Sequence, residues 1–196
     1  MFENCWELTE ISGWDVSTSY SSYVIGASAF KNSGLMNATI PRGVTVIDSM
    51  AFYNCSRLTT VTVSKTVTSL GSYCFCDCPY LEEVTFLTGT AAIMFEMMPF
   101  AYCTSLSSIE IPGSASGVDS SSFAWCTALM NITVGNPTSS CRSDGTALYK
   151  KGTSTYSTLL ACPPGVSNIT VADTTIVIAS RAFYAKISWK LFSRIN

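Results

Sequence analysis

Phe2, Phe30, Phe52, Phe75, Phe100, Phe123 and Phe183 each open a recurring phrase, best preserved in AFYNCSRLTTVTV (51–63) and CFCDCPYLEEVTF (74–86). Their successive separations are 28, 22, 23, 25, 23 and 60 residues, a basic period of 23 with insertions and one long interruption. A period that survives while its variable letters change specifies one supersecondary unit stacked on copies of itself. No single unit has two sides to bury, so neighbouring units must cover its apolar face.

Within each copy a Cys follows the Phe by three positions, at Cys5, Cys55, Cys78, Cys103 and Cys126, with Ser33 in its place once. Three residues further on stands Leu8, Leu58, Leu81, Leu106 or Leu129. The triplets Val61-Thr62-Val63, Val84-Thr85-Phe86, Ile109-Glu110-Ile111 and Ile132-Thr133-Val134 alternate apolar and polar side chains, the period of a strand with one buried face. Pro41 or Pro112 then fixes the backbone where pairing stops. A second apolar group closes each copy: Val44 and Ile47, Val67 and Leu70, Val118, then Ile176 and Ile178. The expected coil has one strand, a turn, a short extended segment and a tight Phe-Cys corner.

The segment IPRGVTVIDSMAFYNCSRLTTVTV (40–63) resembles the repeat of the BspA-type leucine-rich-repeat family, and the period of 23 lies in the range of such repeats. DGTALYKKGTSTYSTLLACPPG (144–165) is similar to a variant unit of that family and accounts for the gap before Phe183. The resemblance covers nearly the whole chain. It implies a mainly β, right-handed solenoid of about seven to eight coils, one strand per coil in a continuous parallel sheet with little helix. Residues 1–196 form one expected solenoid domain, with 134–170 the variant unit. The family also implies display on bacterial or protist surfaces, often in adhesion to molecules of a host or a neighbouring cell.

Composition agrees with close stacking. The chain is 47% hydrophobic and 12% charged, about half the charge of an ordinary domain, so much of it must be buried. The net charge is −2, with Lys and Arg scattered, which argues against a nucleic-acid partner. The most apolar stretch, AAIMFEMMPFAYC (91–103), is interrupted by Glu96 and too short to span a membrane. Met1-Phe2 sits where Ala51-Phe52 sits in a full copy, and after Ala182-Phe183 the phrase dissolves, with Lys186 and Trp189 in the Cys and Leu positions. Solenoid ends need polar caps, so the chain reads as a fragment of a longer surface protein.

Nine cysteines raise redox and metal readings. Five occupy the corner position, where a small buried hydrophobe suits the stack. Cys55, Cys78, Cys103 and Cys126 also lie close enough on adjacent coils to pair as two disulfides, and Cys141 with Cys162 is a candidate local bridge. Cys74, Cys76 and Cys78 are spaced too tightly for a usual zinc ligand pair, and the chain has no His. No metal or cofactor is implied. The missing His also removes the commonest general base, and Glu82, Glu83 and Glu110 on an open sheet lack the enclosure that would tune an acid/base pair. A non-enzymatic protein is expected.

The outward strand positions remain as a binding face: Thr39, Thr62, Thr85, Glu110, Thr133 and Thr170, joined by Thr60, Glu83, Ser108 and Asn131. In register they form a hydroxyl-rich sheet with an acidic centre at Glu83 and Glu110. The same threonines would equally serve strand propensity and solubility. Asn37, Asn54, Asn131 and Asn168 each begin a formal glycosylation sequon. The expected function is extracellular recognition of a protein or glycan without membrane insertion. The alternative is a structural spacer whose ends self-associate.

Overall fold

The computed structural model describes residues 2–11, 22–89, 91–135, 141–151, 156–166, 168–172, 174–183 and 190–191. It is mainly β, built from short parallel strands stacked coil on coil in a solenoid of about six turns. The expected strand triplets form one row of strands, paired in two stretches. Asn37–Thr39 pairs with Thr60–Val63, which pairs with Glu83–Phe86, and Ser108–Ile111 pairs with Asn131–Val134. Val61, Val63, Val84, Ile109, Ile111 and Ile132 turn inward and are buried, as period-2 alternation requires.

Two features depart from a single continuous sheet. The second apolar group of each coil is itself paired: Tyr23–Ile25, Val44–Ile47, Ser69–Leu70, Ile93–Phe95 and Ala115–Val118 form a five-stranded parallel sheet, so each coil contributes two strands. The first ladder is also interrupted, because no strand pairing joins Glu83–Phe86 to Ser108–Ile111. Neighbouring coils show why. Leu87 N–H donates to Val63 O (2.9 Å) and Gly135 N–H to Ile111 O (2.9 Å), whereas the residue at that position in the intervening coil is Pro112. It has no N–H to give Phe86. The coil from Phe75 to Phe100 is also two residues longer than the basic period.

The corners hold the stack together. Phe2, Phe30, Phe52, Phe75, Phe100 and Phe123 form one column of near-parallel rings with centroids 5.5, 5.0, 5.0, 5.6 and 6.1 Å apart. Residues two before and two after the Phe adopt left-handed backbone: Met50 and Asn54 around Phe52 (φ 55° and 53°), Tyr73 and Asp77 around Phe75 (φ 61° and 61°). This conformation strains residues with a Cβ, with Asn and Asp most tolerant. In return the N–H groups at these positions and at the Phe all point to the next coil. Met50 donates to Ser72 O (2.9 Å), Phe52 to Cys74 O (2.7 Å) and Asn54 to Cys76 O (2.9 Å). Side chains extend the pattern, with Asn54 Nδ2 donating to Asn32 Oδ1 (2.9 Å) and Asn32 Nδ2 to Asn4 Oδ1 (2.7 Å).

The parallel stack gives way at the variant unit. Cys141–Ser143 and Leu148–Lys151 form an antiparallel hairpin, Tyr156–Ala161 adds to it antiparallel, and Val177–Ile178 then pairs parallel. Asp144-Gly145 turns the hairpin, with Gly145 at φ 96°. Asp144 Oδ1 accepts from Thr146 N, Thr146 Oγ1 and Ala147 N at 2.8–2.9 Å, and Tyr149 Oη donates to its other oxygen (3.1 Å). These hydrogen bonds outweigh desolvation and lower the Asp144 pKa, while burial beside that carboxylate raises Tyr149 to about 12. Ile176 and Ile178, expected to face the core, are 82% and 46% exposed. Among the described residues Val177–Ile178 is the edge strand of this sheet, and no further strand pairs with it. The expected Lys186 and Trp189 positions lie outside the described residues.

Candidate functional site

The interrupted ladder presents two outward rows. In the first, Asn37, Thr60 and Glu83 are in register, and Ser108 is in register with Asn131. In the second, Thr39, Thr62 and Thr85 align, and Glu110 aligns with Thr133. Nine of the ten expected face residues therefore fall in these rows. Thr170 does not join them: it is exposed just beyond Asn168–Ile169, which pairs with Lys190–Leu191 rather than with Asn131–Val134.

Hydrogen bonds order part of this face. Asn37 Oδ1 accepts from Thr60 Oγ1 (2.7 Å) and Thr59 Oγ1 (3.3 Å), and Thr85 Oγ1 donates to Glu83 Oε1 (2.8 Å). Glu110 leans over the next coil, with the flexible end of its exposed side chain against Gly135. Glu82, Glu83 and Glu110 are exposed, and no Lys or Arg occupies an outward position of these strands. Among the described residues the single ion pair is Lys31 with Glu3 (3.7 Å), at the corner. The two carboxylates expected as an acidic centre stand on either side of the break in the ladder, on an open surface.

The ladder cysteines have a role that the sequence pattern did not disclose. Cys55 Sγ donates to Phe30 O (3.2 Å), Cys78 to Phe52 O (3.3 Å), Cys103 to Phe75 O (3.2 Å) and Cys126 to Phe100 O (3.0 Å). Each thiol caps the carbonyl of the Phe one coil earlier. Two of these carbonyls also accept a local N–H, Phe30 O from Ser33 (3.0 Å) and Phe100 O from Cys103 (3.4 Å), so both of their lone pairs are used. Cys5, at the same sequence position, is exposed and outside this chain of bonds. No disulfide joins any of the described cysteines. Cys141 packs in the main core and Cys162 in a second cluster, and no bridge joins them.

Burial pushes the Cys74, Cys78 and Cys103 thiols well above their ordinary range and Cys76 and Cys126 to about 12. Raising a thiol from about 9 to about 12 cuts its thiolate fraction roughly 1000-fold. In the native protein at pH 8, iodoacetamide is expected to label exposed Cys5 and spare the buried ladder, with all nine labelled in denaturant. Peptide mass spectrometry reads the result. Rapid native labelling of Cys103 or Cys126 would contradict the buried, hydrogen-bonded assignment.

The sequence reading also missed a surface layer outside the corner column. Cys76, Ala101 and Ala124 are buried beneath Tyr53, Tyr73, Met98 and Trp125. Tyr102 stacks on Trp125 (5.8 Å), and Lys31 lies over Tyr53 (5.8 Å). Only the small residues one position after the Phe, which leave room for these rings, hinted at it.

A family model described as BspA type Leucine rich repeat region matches residues 23–145 in six copies. Solved structures of similar fold include a leucine rich cell surface protein from Faecalibacterium prausnitzii, with TM-score 0.63 and 23% identity over 86% of this chain and 52% of that one. Another is the pneumococcal vaccine antigen PcpA, with TM-score 0.61 and 19% identity over 86% of this chain and 44% of that one. A leucine-rich repeat protein from Eubacterium ventriosum has TM-score 0.53 and 20% identity over 77% and 45%. This chain spans about half the length of each. No curated protein matches it in sequence.

Proposed function

The chain belongs to the BspA-type leucine-rich-repeat family, and on that premise we propose that it is a non-enzymatic recognition module at a cell surface. It binds a protein or glycan through the outward rows of the interrupted ladder. The observation that carries this reading is the chemistry of that face: hydroxyl, amide and carboxylate groups aligned in two stretches of an open sheet, with exposed carboxylates and no Lys or Arg at the outward strand positions. Repeated polar groups on a preformed surface suit many weak contacts at small ordering cost. Two structural relatives are a cell surface protein and a vaccine antigen, which supports the location. A second reading, a spacer segment that stacks end to end, draws on exposed Ile176, Val177 and Ile178.

The test displays the chain on beads and measures capture of matrix proteins and neutral glycans, with wild type beside Glu83→Lys/Glu110→Lys. Recognition through this face predicts at least a tenfold loss of affinity in the double variant, about 1.4 kcal/mol or more, with unchanged thermal stability. Binding that survives the reversals would remove this face. No binding at all, with self-association of the chain instead, would favour the spacer.

A further inference from the structure

The four sequons are indistinguishable as sequence, but the structure separates three of them, at Asn37, Asn54 and Asn131, by what the amide nitrogen is doing. N-glycosylation modifies Nδ2 and depends on the hydroxyl two residues later, so both groups must be available on one side of the chain. Asn37 and Thr39 are both outward and exposed on one strand, as are Asn131 and Thr133 on another, the geometry that residues i and i+2 of a strand impose. At Asn37 the side-chain oxygen takes both hydrogen bonds, from Thr60 and Thr59, and no described residue engages Nδ2. The Asn131 amide is exposed, and no described residue bonds to it. Asn54 is the opposite case. Its Nδ2 donates to Asn32 Oδ1 (2.9 Å) within the corner ladder, from a left-handed residue at φ 53°. A glycan there would replace one of the two Nδ2 hydrogens inside the corner ladder and wedge the corner apart.

From this geometry we infer that Asn37 and Asn131 are N-glycosylation acceptors compatible with the folded solenoid and that Asn54 is not. The donor is an oligosaccharide linked through pyrophosphate to a lipid carrier. The Asn amide nitrogen loses a proton and forms a bond to the anomeric carbon, and the carbon–oxygen bond to the lipid pyrophosphate breaks. The two acceptors stand at opposite ends of the first outward row, four coil steps apart, roughly 20 Å at parallel-strand spacing. Glu83 and Ser108 lie between them. Glycans there frame the middle of the face and leave the corner column untouched.

The test secretes the full chain from a eukaryotic host and reads intact mass and glycopeptides before and after peptide N-glycosidase, which converts a glycosylated Asn to Asp. The expected result is conversion at Asn37 and Asn131 and none at Asn54. Asn37→Gln and Asn131→Gln each remove one glycan. Thr39→Ala and Thr133→Ala do the same while keeping the asparagines, so a poorly folding Gln variant does not decide the matter. Secreted, folded protein with Asn37 and Asn131 unmodified, or with a glycan on Asn54, would overturn the assignment. No binding partner enters the readout, so it stands or falls separately from the recognition function.

Discussion

Replacing Phe75 with alanine is expected to destabilise the chain by about 3–5 kcal/mol, the cost of emptying a fully buried aromatic site. Phe75 has no exposed surface and stacks on Phe52 at 5.0 Å and Phe100 at 5.6 Å. A solenoid distributes its stability over nearest-neighbour interfaces, so a mid-column deletion weakens two of them at once. Phe2 is the internal control: it is 48% exposed and stacks within its column only on Phe30, at 5.5 Å. Phe2→Ala should cost about a third as much or less, because only part of its surface leaves water. Urea denaturation of the two variants measures the difference. Equal costs would mean that the column is not the main source of cohesion between coils.

The second large effect concerns Cys78, where two physical accounts predict opposite orders. If the residue merely fills space, Cys78→Ala should cost a small transfer term and Cys78→Ser should be worse, since it buries a hydroxyl. If the thiol caps Phe52 O at 3.3 Å, Cys78→Ala takes that donor from a carbonyl in a dry corner, at about 1–3 kcal/mol. Ser then retains a donor and should be the milder change. The corner already accommodates a serine once, for Ser33 occupies the equivalent position, buried, with its hydroxyl 3.3 Å from Cys55 Sγ. Denaturation midpoints of Cys78→Ala, Cys78→Ser and wild type settle the order. Serine less stable than alanine would reduce the thiol to a space-filler.

Much of the core was legible because Phe, Leu and the strand triplets obey simple periods. Phe52, Phe75 and Phe100, Leu58, Leu81 and Leu106, and Val61 and Val63 are buried as their spacing requires. The nine aligned face residues follow from the same alternation. The second sheet was harder to see. Its strands are two to four residues long, and Val44-Thr45-Val46-Ile47 buries its two ends rather than alternate positions. The left-handed corner residues gave no signal either: Met50, Tyr73, Tyr102 and Trp125 are not residues that announce positive φ. They are held there by bonds between coils, which are long-range. The break at Pro112 was readable in part, since a missing donor is written in the sequence, but its effect depends on which strand lies beside it. Cysteine was read by its burial, and its use as a donor required knowing where the preceding Phe carbonyl points.

That break also bears on how the molecule responds to load. On one side, Ser69–Leu70, Ile93–Phe95 and Ala115–Val118 remain laced together across the level where Glu83–Phe86 and Ser108–Ile111 are not. The laced side behaves as the spine of a book and the interrupted side as its opening edge. Bending that widens this edge stretches no ladder hydrogen bond there, whereas the same bend at any neighbouring level with both ladders intact must. That edge is therefore more compliant at this level than at the neighbouring levels where its own ladder is intact. Glu83 and Glu110, on the two facing leaves, are the side chains whose separation such flexing changes.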